Sequence, residues 1–260
     1  MKSLAIIGGT GLSQFSGFTE LKRHCHLTTE LGSPSADVVE GVLGNIRLLF
    51  LPRHGSTHSL APHNINYRAN VLVLQELGAE AIISVNAVGG IHPDAVAGHI
   101  SIPDQIIDYT SGREHTYFDG VFRPLDYVDF TYPYDEDLRQ KLIAAISSVL
   151  SINSGKPCSG LSSRGFSSKG VYAATQGPRL ESIAEINRLE RDGCDLVGMT
   201  GMPEAALARE LNIPYASMCL VVNPAAGKSD NLITIDDVRL VLKDGMDVVK
   251  QVITQLCEDY

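Results

Sequence analysis

Hydrophobic and polar positions alternate along this chain in two registers. Short apolar runs rich in β-branched residues recur: LAIIGG (4–9), NIRLLFLP (45–52), AIISVNAVGG (81–90), HISIPDQIIDY (99–109), KGVYAATQG (169–177), DLVGMT (195–200) and PYASMCLVVN (214–223). Each has the length and composition of a strand. Between them the apolar positions fall at helical spacing over 66–77, 135–150, 180–191, 203–211 and 234–256. The last of these opens with Thr234 followed three positions on by Asp237, a capping-box-like start. Ile235, Val238, Val241, Val249, Val252 and Ile253 then form its apolar stripe. Strands alternating with helices predict an α/β fold with a mostly parallel sheet. The serine- and glycine-rich stretch 151–168 interrupts the pattern. Strand spacing resumes directly after it, so it reads as an insertion loop within one domain spanning 1–260.

Composition narrows the function classes. Apolar residues make up 44% of the 260 positions and charged residues 20%, the balance of a chain with a substantial core. A formal charge of −9 argues against nucleic acid or an acidic membrane surface as partner, since both require a basic face. An anionic ligand then needs a local site that overcomes the overall field. The five cysteines (Cys25, Cys158, Cys194, Cys219 and Cys257) are odd in number and form no close pair, which points to a reducing interior. No uncharged apolar run approaches the roughly 18 residues needed to span a bilayer. The N-terminal MKSLAIIGG reads as an opening strand rather than a secretion signal. The expectation is a cytoplasmic protein.

Candidate chemistry collects at the C-terminal ends of the strands, where open α/β sheets bind ligands. Gly8-Gly9-Thr10-Gly11 follows the first strand, offering backbone N–H groups and a hydroxyl to an anion. By itself it fits a strand-ending turn equally well. Arg53 and His54 end the next core strand, and a guanidinium fork suits phosphate oxygens. Asn86 and Ala87 lie in NAVGG, and Thr200 closes DLVGMT. His54, His58 and His63 fit no tight metal spacing, so no metal site is expected.

Two glycine- and proline-punctuated turns stand beside helix starts, TQGPRLES (175–182) and VGMTGMPE (197–204). On these, together with PRHG and NAVGG, the chain resembles the trimeric purine nucleoside phosphorylase family, which includes methylthioadenosine phosphorylase. The resemblance implies a central mixed sheet flanked by helices, a homotrimer, and phosphorolysis of a purine nucleoside without organic cofactor or metal. It assigns Thr10, Arg53, His54, Asn86, Ala87 and Thr200 to phosphate, and Met199 to ribose. It assigns Leu180, Glu181, Asn223 and Ala225 to the base, and Ile235 and Val238 to the 5′ substituent.

Glu181 has two readings. Its carboxylate can accept the N1–H that 6-oxopurines carry, or it can be an ordinary first-turn acid favoured by the helix dipole. Met199 likewise suits a core position. Asn223 and Ala225 stand where the methylthioadenosine enzymes carry two aspartates, so an acceptor for a 6-amino group is missing. An amide at 223 can donate to N7 and O6, which selects a 6-oxopurine. With apolar Ile235 and Val238, the expected substrate is a 5′-methylthio-6-oxopurine nucleoside, methylthioinosine. The alternatives are inosine or guanosine, methylthioadenosine, or a purine-binding protein without catalysis. Tyr127 stands where the methylthioadenosine enzymes place a histidine that reaches a neighbouring subunit.

Overall fold

The computed structural model describes residues 2–9, 12, 17–153, 165–230 and 232–260. Eleven strands form one mixed sheet: β1 (Ser3–Gly8), β2 (Thr19–His24), β3 (Val38–Leu43), β4 (Ile46–Pro52), β5 (Ala81–Gly90), β6 (Ile100–Ser101), β7 (Gln105–Asp108), β8 (Phe166–Ser167), β9 (Val171–Ala174), β10 (Leu196–Gly198) and β11 (Tyr215–Pro224). Five α-helices accompany them: α1 (Tyr67–Glu76), α2 (Glu136–Asn153), α3 (Ile183–Arg191), α4 (Glu204–Glu210) and α5 (Ile235–Asp259).

The main path of the sheet runs β2-β3-β4-β1-β5-β10-β9-β7. Strand β11 pairs with β5 and β6, and β6 with β8. Parallel pairs (β1/β4, β1/β5, β5/β11, β9/β10, β7/β9, β6/β8) coexist with antiparallel ones (β2/β3, β3/β4, β5/β10, β6/β11). The sheet is therefore mixed, and among the described residues its six parallel pairs outnumber the four antiparallel ones, in keeping with the mostly parallel sheet that the alternation predicts. The antiparallel pairs come from β10, which runs against β5, from β6, which runs against β11, and from the edge strands β2 and β3, of which β2 is charged and exposed.

Both faces of the central strands are covered, which explains their near-continuous hydrophobicity. Along β1, Ala5 and Ile7 join a cluster with Val71 and Leu74 of α1 and Ala205 and Leu207 of α4. Leu4 and Ile6 point the other way, as the two-residue period requires. They meet Leu142 and Ile146 of α2 and Val252 and Ile253 of α5. The expected stripe of the last helix is therefore real at its C-terminal end. A third cluster packs Ile186 and Leu189 of α3 against Ala173, Val197 and Ala225.

Candidate active site

Strand β5 changes neighbours along one edge. Ala81–Ser84 pair with Leu4–Ile7 of β1, whereas Gly89 and Gly90 pair with Val197 and Leu196 of β10. Residues 85–88 lie between these two partners, in a notch to which the C-terminal ends of β1, β4 and β10 all lead. Ala87 is the one exposed residue of an otherwise buried strand. A change of strand partner that leaves a crevice at strand C-terminal ends is where α/β sheets accept ligands.

A continuous hydrogen-bonded chain lines the notch. Arg53 is buried and donates through Nε and Nη2 to both carboxylate oxygens of Glu204, at 2.8 and 3.0 Å. Its Nη1 reaches the Val85 carbonyl at 3.2 Å, and Nη2 also meets Ile7 O and Ser84 Oγ. Ser84 Oγ accepts from Asn86 Nδ2, which also donates to Ser217 Oγ at 2.7 Å. Thr200 Oγ1 completes the run by donating to Asn86 Oδ1 at 2.9 Å. Tyr215 donates to Glu204, and the Tyr172 hydroxyl accepts from the N–H groups of Thr200 and Gly201.

The three residues read as phosphate ligands, Arg53, Asn86 and Thr200, thus belong to one network. The arginine fork, however, is turned onto Glu204 rather than left open for an oxyanion. Burial works to lower the Arg53 pKa and the facing carboxylate raises it, with a net upward shift that keeps the guanidinium charged. A buried guanidinium needs such a counter-ion, and sequence spacing of 151 residues could not reveal it. Glu204, the first residue of α4, anchors the arginine.

His54 follows on the loop after β4. Its Nδ1 lies 2.9 Å from the Leu60 carbonyl, which only accepts, so the proton sits on Nδ1 and Nε2 carries a lone pair. Desolvation is the main cause that lowers its pKa to about 4, so the ring is neutral at pH 7. His58 packs against it with ring centroids 4.6 Å apart, while His63 is exposed in the short turn Pro62–Asn64. Among the described residues no group of His, Cys, Asp or Glu converges as a metal site would. Thr10 lies outside the described residues.

The base-facing segment adjoins from the other side. Thr175, just past β9, donates from its hydroxyl to Glu181 Oε1 at 2.6 Å. Helix α3 begins only at Ile183, with Ser182 as N-cap and Glu185 completing the capping box. Glu181 therefore precedes the helix, and the first-turn role belongs to Glu185. Leu180 beside it is 46% exposed. Met199 packs beneath Gly177, where a Cβ would lie 2.3 Å from Sδ and φ is +59°, so only glycine fits that turn.

Asn223 ends β11 after an irregularity between Val221 and Asn223, which sets it opposite Gly89 of β5. That is three residues from Asn86, roughly 10 Å along the strand. Its Nδ2 donates to Pro224 O at 2.7 Å, so the amide has a local partner to exchange for a base. Ala225 is buried in the α3 cluster rather than facing the notch. Ile235 opens α5 60% exposed, and Val238 leans on the α2/α5 core. The structure does not gather these two with the residues of the notch. Tyr127 is 84% exposed on the long segment between β7 and α2.

Sequence reasoning missed Ser84, Ser217, Tyr172 and Arg113. A signal existed for the first two. Ser84 and Asn86 on β5 pair in register with Ser217 and Cys219 on β11, a polar stripe two residues apart in otherwise apolar strands.

The fold thus defines an α/β protein with a buried polar network beside a notch at its strand ends. Residues 3–258 match the pattern of the phosphorylase superfamily, and the chain belongs to that family. It is 50% identical, over 98% of both chains, to a protein of Pseudomonas syringae pv. tomato named probable S-methyl-5′-thioinosine phosphorylase. It is 41% identical to the 6-oxopurine nucleoside phosphorylase of Pyrococcus furiosus, covering 98% of this chain and 92% of the other. Methylthioadenosine phosphorylase from Schistosoma mansoni, solved with adenine, superposes with a TM-score of 0.89 at 29% identity, over 99% of this chain and 91% of that one.

Proposed function

We propose that the chain catalyses phosphorolysis of S-methyl-5′-thioinosine, yielding hypoxanthine and 5-methylthioribose 1-phosphate. The notch at residues 85–88 of β5 carries this reading. There a buried polar network meets an exposed Ala87, with Asn223 near the end of β11 and Glu181 held by Thr175 just past β9. The identity to relatives named for this reaction supports the substrate.

In this reading phosphate lies in the notch near His54, Asn86, Ala87 and Thr200, with Arg53 holding their geometry through Glu204 and Ser84. A phosphate oxygen bonds to C1′ as the C1′–N9 bond breaks, and the bonding pair leaves with the purine. Asn223 donates to the negative charge that develops on N7 and O6. Glu181, oriented by Thr175, accepts the N1–H of the 6-oxopurine. Met199 and Leu180 pack on sugar and base. Positioning and electrostatics carry the step, so neither metal nor organic cofactor is required. The family resemblance supports a homotrimer, which would supply the closure of the 5′ end that the exposed Ile235 lacks.

A second reading, the same reaction on inosine or guanosine, is favoured by that open 5′ end and by the identity to 6-oxopurine nucleoside phosphorylases. Hypoxanthine release from S-methyl-5′-thioinosine should require phosphate; equal rates with and without it would contradict a phosphorylase. Comparing kcat/KM for methylthioinosine, inosine and methylthioadenosine separates the substrates.

A further inference from the structure

A buried cation is ordinarily held by a carboxylate, because its lost hydration must be offset. Arg53 follows that rule. Arg113 does not. It is 7% exposed, and its acceptors among the described residues are all neutral. Nη1 donates to Met199 O at 2.8 Å and Met202 O at 2.6 Å, with the Tyr67 hydroxyl at 3.2 Å. Nη2 donates to Thr175 O at 3.2 Å and Gln176 O at 3.0 Å. The buried Nε has no partner. One nitrogen of the fork therefore serves each of the two turns that frame the notch.

The first turn is braced internally by Thr175 on Glu181, and the second is tied to β5 by Thr200 on Asn86. Between them the direct ties are the Thr175 N–H and hydroxyl, which donate to the Gly198 carbonyl at 2.8 and 3.3 Å, and the packing of Met199 under Gly177. Both lie at the end of the β9–β10 ladder. Arg113 extends the connection outward to Gln176 and Met202. The Gln176 side chain returns the grip through Ser111, accepting from its N–H at 3.2 Å and donating to its carbonyl at 3.0 Å.

We propose that Arg113 is the positioning residue that locks the base-facing turn 175–181 to the sugar- and phosphate-facing turn 199–202, so that discrimination between purines passes through it. This rests on the phosphorylase reading above. Binding of phosphate alone needs only the 199–202 side, whereas reaction needs both sides in register. Loss of the lock therefore falls on kcat and on base choice, and spares phosphate KM. A lysine keeps the charge, but three N–H donors on one nitrogen cannot serve the five acceptors that the fork reaches from two.

The test uses the full chain, as wild type, Arg113→Lys and Arg113→Gln. In Arg113→Lys we expect faster amide exchange in both 175–181 and 199–202 of the free protein. We also expect kcat to fall about 100-fold, the effect of roughly 1 Å of misplacement. Phosphate KM should stay within about threefold, and the ratio of kcat/KM for methylthioinosine over methylthioadenosine should drop. A lower Tm with kcat per folded molecule and the substrate ratio unchanged would overturn the proposal. So would faster exchange confined to residues 111–115. Should Arg113→Gln fail to fold, Arg113→Lys decides by the same readouts. If wild type releases no hypoxanthine with phosphate, the functional reading falls, and the exchange pattern still decides whether the lock exists.

Discussion

Asn223 and Glu204 show how a single side chain acquires a role from its surroundings. The amide of Asn223 is held by Pro224 O and stands opposite Gly89, beside a position that accepts no carboxylate, since Ala225 is buried among apolar residues. Asn223→Asp supplies a group able to serve a 6-aminopurine. We expect the ratio of kcat/KM for methylthioadenosine over methylthioinosine to rise about 10-fold or more, the scale of one hydrogen bond to a charged group. An unchanged ratio would remove Asn223 from base recognition. Glu204 balances the Arg53 guanidinium and accepts from Tyr215. Glu204→Ala leaves that cation buried without its counter-ion and should cost about 3–5 kcal/mol in chemical denaturation. Glu204→Gln keeps the shape and should cost less. A loss below about 1 kcal/mol for the alanine variant would show that water reaches Arg53.

Elements meet through a second ionic group, far from the notch. Glu40 of β3 accepts from Arg47 of β4 at 2.8 and 3.0 Å and contacts His24 of β2 at 2.6 Å. Arg47 also reaches Ser3 Oγ on β1 and the Leu77 carbonyl after α1. The Arg47 hydrogen bond leads in lowering the Glu40 pKa from 4.5 to about 2. The folded protein thus binds this proton more weakly than the unfolded chain. The stabilisation is complete above pH 4.5 and is lost as pH falls towards 2. Its size is about 2–3 kcal/mol after allowance for partial exposure. Glu40→Gln should flatten the fall of unfolding free energy in that window while leaving activity at neutral pH intact. A wild-type acid profile in the variant would assign the window to other carboxylates. The edge ribbon was hard to read because a polar, exposed strand such as TELKRH has no buried face to impose alternation.

For the whole molecule, exposed apolar side chains concentrate on the segment between β7 and α2. Val121, Leu125, Tyr127 and Tyr132 all stand in solvent on a single chain. A patch of this kind marks an association surface, and the proposed trimer gives it a partner. Sedimentation should give one species of three times the chain mass, and Leu125→Asp should shift it towards monomer. A monomeric wild type would sink the trimer and leave the 5′ end without the proposed closure.

The chain's own pattern determined its central strands and its helices, because period-2 and period-3.6 burial leave a local imprint, while β2 and β3 went unread. It also determined which strand ends carry polar groups: Arg53, Asn86, Thr200, Asn223 and Glu181 were all legible as residues. Only the tertiary structure decided their partners. That Arg53 spends its fork on Glu204 and that Arg113 bridges two turns depend on contacts between residues 62 to 151 positions apart. Spacing along a chain encodes faces and turns. It does not encode which buried charge meets which, since that follows from how the sheet folds back on itself.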